Sequence, residues 1–281
     1  MERALSPPAA LRLRPLEIGD LLDETFRMYR RHFVLFAGIS IALSIPVAVL
    51  SGGYSALAGN LLQQAATGGS GNPASLEAAI FSLATGLLLT VVFVPFTYSA
   101  IVYAACESAL GRPVTAGGIL RGVLRRYFQL LAYWLLIGLM FTLGICLFPL
   151  WIWISVGWVV VVPAIFVENI GLTAAMSRSW RLIEGRWWRT FLILFLLAIV
   201  FYGARIALTA FTYTAQQLVG LVISSYLVMT IGSAADVIVA ALVNPVVQIA
   251  VVLIYFDLRV RREALDLFQL AQRVPAPLPV H

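Results

Sequence analysis

Three acidic residues, Glu107, Glu168 and Asp257, each stand at the end of a long apolar run and face arginine-rich segments. Carboxylates converging on one point are the chemistry of a divalent-cation site and of metal-assisted hydrolysis, and these three are the set in the chain suited to it. The same groups paired one by one with arginine would instead tie the arginine-rich segments to the ends of the runs, which is the reading we favour. A second group lies inside the runs: Arg205, Asp236, Asn244 and Gln248. Ionisable side chains in hydrocarbon are costly and mark gates, relays or internal pairs. Arg205 and Asp236 fall in the same part of the membrane and could pair. Asn244 precedes Pro245, with Gln248 one turn on. Such amides hydrogen-bond between helices or form a midplane polar site at a broken helix.

Other chemistry finds no residues. The two histidines, His32 and His281, do not form a pair, and Cys106 and Cys146 make no disulfide or zinc spacing. There is no P-loop, HExxH, GxSxG or dinucleotide fingerprint. We expect no enzymatic activity, no metal and no cofactor.

The elements that position these residues follow from composition. Of 281 residues, 61% are hydrophobic and 11% charged, and mean hydropathy is +0.95. Soluble domains carry about 25% charged residues, so the chain reads as an all-α polytopic membrane protein. Six apolar runs, near 33–51, 79–106, 128–147, 150–167, 190–212 and 236–256, are long enough to span a bilayer. Continuous apolarity, without alternation, selects helices over a barrel. The first run follows a charged stretch and is expected to be retained as a span rather than cleaved as a signal.

All 19 basic residues are arginine, and their placement sets orientation. The segments before 33, at 107–127, at 168–189 and after 257 hold them all except Arg205, whereas 52–78, 148–149 and 213–235 hold none. Both termini are therefore expected on the cytoplasmic side. A pI near 9.7 thus points to a membrane surface, not to nucleic acid. The uncharged stretch 216–234 is read as an interfacial or re-entrant helix on the outer side, because a seventh span would move the basic tail outside. The Gly/Ser-rich loop 66–75 is expected to be mobile.

Arginines and aromatics recur together at the inner boundary. In the segment 172–188, which overlaps "SWRLIEGRWWRTF" (179–191), Leu172, Met176, Trp180, Ile183 and Trp187 share a helical face. Arg181 lies about 180° from Leu172, which describes an amphipathic surface helix ending in interfacial indoles. Ile18, Leu22, Phe26, Tyr29 and Phe33 form a similar stripe before the first run, and Ile119, Leu120, Val123, Leu124 and Tyr127 before the third. The chain reads as one membrane domain, 1–281, of three parallel repeats: about 16–106, 114–168 and 171–257. Each repeat is an amphipathic helix and a two-span hairpin. Residues 258–281 form an amphipathic segment and a Pro-rich tail. Pro95 precedes Glu107 by twelve residues and Pro245 precedes Asp257 by twelve, whereas Pro163 stands at a different spacing from Glu168. Kinks or local unwinding are expected at these prolines.

The stretches "RPLEIGDLLDETFRMYRRHF", "TAAMSRSWRLIEGRWWR" and "LIYFDLRVRREALDL" together resemble the glycerophosphoryl diester phosphodiesterase membrane-domain family. The resemblance implies a bacterial inner-membrane protein and carries no activity, since the phosphodiesterase barrel of that name needs roughly 200 residues or more and paired histidines. The expected function is a non-catalytic inner-membrane module that organises lipid or a partner membrane protein. The alternative is a transporter or permease for a lipidic or amphiphilic solute, with a cavity reaching Arg205, Asn244 and Gln248. Arg121, Arg125, Arg126, Arg178, Arg181, Arg186, Arg189, Arg259, Arg261 and Arg262 are candidate contacts for anionic headgroups.

Overall fold

The computed structural model describes residues 17–46, 73–143, 148–220 and 225–263, and those residues form helices and short connections without a strand. In chain order the helices are α1 Ile18–Arg31, α2 Phe33–Pro46, α3 Pro73–Ala109, α4 Ala116–Leu143, α5 Phe148–Gly157, α6 Val161–Glu168, α7 Leu172–Ile183, α8 Trp187–Val219 and α9 Ser225–Glu263. Five stretches are long and apolar enough to cross a membrane: Ala84–Ala109, Ala116–Thr142, Pro149–Glu168, Trp187–Val219 and Ala234–Glu263. Of the first expected span, α2 covers 33–46, and the remainder lies outside the described residues, as do Cys146, most of the 66–75 loop and the tail beyond 263.

The centre is built from the helices that carry the three carboxylates. α3, α6 and α9 touch one another pairwise. Around them, α1 packs on α9, α4 on α3, α7 on α6 and α8 on both α5 and α9. α9 is enclosed on all sides below its proline: from Val246 to Val260 every residue but Val247 and Arg259 is buried, the signature of a helix surrounded by protein. Burial falls off on the other side of Pro95 and Pro245, where Ile80, Phe81, Leu88, Val94, Leu227, Ile231 and Ile238 are exposed. The molecule therefore has a protein-filled base and an apolar-surfaced upper part.

Local sequence explains the breaks. α1 ends where the His32 amide donates to the Met28 carbonyl, and α2 starts one residue later. α6 ends at Asn169, whose φ of 54° is the left-handed conformation that asparagine tolerates. α7 and α8 are separated at Gly185, φ 77°. Pro163 falls in the first turn of α6, where backbone N–H groups lack helical partners in any case. The real interruption of that span is at 158–160, between α5 and α6.

Several expectations change. The amphipathic stretch before the third run is not a separate surface helix, because 116–143 is one uninterrupted helix. Its Ile119 and Val123 are buried while Leu120 and Leu124 are exposed. In α1 the buried line is Leu21, Thr25 and Met28, and Phe26 and Phe33 sit exposed at its edge. Thr25 tolerates burial because its hydroxyl donates to the Leu21 carbonyl at 2.7 Å. α7 stops at Ile183, so Trp187 opens the next helix instead of extending the stripe.

The stretch 216–234 is not one separate helix. Residues 216–219 finish α8 and 225–234 begin α9, and these ends pack together. The Gln216 side chain occupies the space a Cβ on Gly232 would need, 2.2 Å away, and the Thr212 hydroxyl donates to Asp236 Oδ1 at 3.0 Å. At 1.5 Å per residue α8 and α9 are about 50 and 58 Å long, so the two packed helices take up the extra apolar residues on either side of 221–224.

Candidate functional site

The three carboxylates are not brought together; each meets arginine. Glu107 Oε1 lies 3.3 Å from Arg112 on the turn after α3. Glu168 accepts from Arg178 Nε at 2.9 and 3.0 Å, which ties the end of α6 to α7. It also accepts from the fully buried Tyr255 hydroxyl of α9 at 2.8 Å. Arg178 reaches on to Glu263, and Arg259 Nε donates to the same carboxylate at 2.8 Å. Burial opposes the charge of Arg178, but hydrogen bonds from it to Glu263 and Glu168 more than offset this and raise its pKa. Asp257, 2% exposed, accepts from Arg189 Nη1 at 2.6 Å and Arg261 Nε at 2.9 Å. Among the described residues no three His, Cys, Asp or Glu side chains are placed to hold a metal ion.

The candidate headgroup arginines thus divide. Arg178, Arg189, Arg259 and Arg261 engage carboxylates, and Arg126 of α4 donates to the carbonyl of Asn169 at 3.1 Å and to its side-chain oxygen. Arg121, Arg125 and Arg181 are exposed. Arg262, also exposed, donates to the Glu184 carbonyl. Arg186 is half-buried and its Nη1 has no hydrogen-bond partner. Burial, then repulsion from Arg261 and Arg262, lowers its pKa against the opposing pull of Asp257.

A second set of contacts joins the helices higher up. The Tyr127 hydroxyl of α4 donates to the Val92 carbonyl of α3 at 3.0 Å. Trp187 Nε1 of α8 donates to the Trp153 carbonyl of α5 at 3.1 Å. The Tyr29 hydroxyl of α1 donates to the Leu242 carbonyl of α9 at 2.7 Å. Each acceptor stands fifteen residues before the carboxylate of its segment: Val92 before Glu107, Trp153 before Glu168, Leu242 before Asp257. In α3 and α9 the acceptor also adjoins the carbonyl that Pro95 or Pro245 leaves without an amide partner. Beside the 158–160 break between α5 and α6, carbonyls are met by side chains as well, Gly157 by Ser179 Oγ at 2.7 Å and Trp158, which also accepts from the Val161 amide, by the Tyr133 hydroxyl at 3.0 Å. Sequence reasoning missed these donors and Tyr255, since nothing in a tyrosine's spacing says which distant carbonyl it meets. The equal distance from proline to carboxylate in α3 and α9 was the available signal.

The polar residues expected inside the membrane fall at two levels of α8 and α9. Arg205 does not pair with Asp236, which takes the Thr212 hydroxyl. The register fixed by Thr212–Asp236 and Gln216–Gly232 sets Arg205 opposite position 243, about 10 Å along the helix from Asp236. Asn244 is exposed, whereas Gln248 is buried with its Oε1 unpartnered. Comparison with family models, with curated proteins and with solved structures finds no match to this chain.

Proposed function

We propose that the chain is a non-catalytic module of the bacterial cytoplasmic membrane that organises anionic lipid at its inner face. In this reading it has six spans, α2 being the first, and both termini are cytoplasmic. The exposed apolar side chains of the upper part face lipid. The observation that carries the functional reading is the charge pattern of the base. Glu107, Glu168, Asp257 and Glu263 are engaged by arginine, and Arg121, Arg125, Arg181, Arg186 and Arg262 stand outside those ion pairs around a protein-filled centre. A surplus of arginine beside an apolar belt suits anionic headgroups, at about 1 kcal/mol per cation. Arg205 lies away from Asp236 and Asn244 is exposed, which supports a module over an enclosed polar route for a solute.

The three-repeat organisation belongs to the same proposal. It is supported by the three acceptor carbonyls fifteen residues before the three carboxylates, and by the cyclic order of contacts, in which α1 meets α9, α4 meets α3 and α7 meets α6. The motif resemblance to the glycerophosphoryl diester phosphodiesterase membrane-domain family stands beside it as a proposal resting on those motifs. Native mass spectrometry of the protein released from nanodiscs containing equal phosphatidylglycerol and phosphatidylcholine tests the functional reading. Preferential retention of phosphatidylglycerol is expected; equal retention of the two lipids would remove the reading and direct the search to protein partners.

A further inference from the structure

The excess of arginine is not spread evenly. Arg186 and Arg189 at the start of α8 lie close to Arg261 and Arg262 at the end of α9, and of these four Arg189 and Arg261 bond the buried Asp257. Arg262 is fastened to the Glu184 carbonyl with its side chain exposed. Arg186 makes one long bond, Nη2 to the Arg261 carbonyl at 3.4 Å, and its Nη1 has no partner. That N–H is enclosed by protein, so an anion's oxygen satisfies it only where the weakly held Arg186 side chain turns outward. Arg186 also caps the N-terminus of α8, which adds a favourable dipole.

Directly beside this cationic corner runs an aromatic file. Trp187 and Trp188 meet edge to face at 4.9 Å, Trp187 stacks on Phe191 at 5.2 Å, and Phe191 stacks on Phe195 at 5.9 Å. Trp188, Phe195 and Ile199 are exposed along that rising face. A free phosphate has no use for such a surface; a lipid whose phosphate sits at the corner would lay an acyl chain against it.

We infer that Arg186 and Arg262, with Arg189 and Arg261 behind them and the Trp188–Phe195–Ile199 face above, form a discrete site for one inner-leaflet phospholipid with an anionic phosphodiester headgroup. The inference rests on the lipid-organising reading and adds a location to it. The test uses the full chain in the same mixed nanodiscs and compares Arg186→Gln/Arg262→Gln with Arg121→Gln/Arg125→Gln, which removes two exposed arginines elsewhere on the base. At roughly a factor of five per arginine near an anionic surface, the first pair loses about thirtyfold in selective phosphatidylglycerol retention and the second pair far less. Trp188→Ala weakens retention of both lipids. Soluble glycerol 3-phosphate, lacking a chain, fails to displace the bound lipid.

Equal losses from the two pairs would overturn the site in favour of a diffuse field. Full displacement by glycerol 3-phosphate would overturn its lipid character. If the wild-type protein shows no preference at all, the broader reading has failed; if the wild type prefers phosphatidylglycerol and the Arg186/Arg262 variant does too, this site alone has failed. Arg262→Gln and Trp188→Ala alter exposed side chains and decide the matter should Arg186→Gln fail to fold.

Discussion

Asp257 shows what a single residue does at the base. Its carboxylate is buried, and two partly buried guanidinium groups from different helices converge on it. Breaking a buried pair by neutralising one partner leaves uncompensated charge and costs about 3–5 kcal/mol. Asp257→Asn is therefore expected to lower the unfolding midpoint in detergent by a margin visible in any thermal melt. Asp236→Asn gives the contrast, because an amide oxygen can still accept from Thr212 and no cation depends on it. That variant should unfold within about 0.5 kcal/mol of wild type, the usual scale for substitutions away from such networks. Equal stability of the two variants would show that Arg189 and Arg261 do not rely on Asp257.

At the scale of the helix, glycine positions report how close two elements come. Gly157 ends α5 against α7, and a Cβ there would lie 2.3 Å from the Trp180 ring, itself set edge to face on Trp153 at 4.6 Å. Gly157→Ala should cost about 1–3 kcal/mol by overpacking, read by chemical or thermal unfolding. Gly138→Ala in α4, with nothing within 4 Å of the added carbon, should stabilise by roughly 0.5–1 kcal/mol. A neutral Gly157→Ala would mean that α5 and α7 stand further apart than described. The elements themselves were largely legible in the sequence, because apolar length and arginine placement are strong one-dimensional signals. What was not legible was continuity. Whether 116–127 breaks from its span depends on a turn residue: Gly185 separates α7 from α8, while nothing comparable follows Arg126. That two helices divide the 216–234 stretch was not legible either, because hydropathy counts residues without knowing that Gln216 and Gly232 pack across it. Carboxylate–arginine pairing was readable from position at the ends of the runs, but Tyr255 and Glu263, which complete the Glu168 network, needed the fold.

For the molecule as a whole, the three carbonyl contacts make a prediction that no single helix makes. If the chain is three repeats closed in a ring, Tyr29, Tyr127 and Trp187 perform one task at three joints, each holding a leading helix to the preceding closing helix fifteen residues above its carboxylate. Removing each donor while keeping an aromatic ring, by Tyr29→Phe, Tyr127→Phe and Trp187→Phe, should cost about 0.5–1.5 kcal/mol apiece, with Trp187→Phe also losing some ring area. The joints join different helix pairs and share no partner, so the losses should add in double variants to within about 0.5 kcal/mol. The joint at Tyr29 carries the most topological weight, because it fastens the first described helix to the last and so closes the ring. A ring predicts that Tyr29→Phe destabilises the whole cooperative transition as Tyr127→Phe does. A linear stack would instead let α1 detach alone, producing a separate low-temperature step and early hydrogen exchange confined to residues 18–31. Hydrogen exchange read along the chain distinguishes the two, and local loss of protection in α1 alone would end the ring description while leaving the base of arginine–carboxylate pairs untouched.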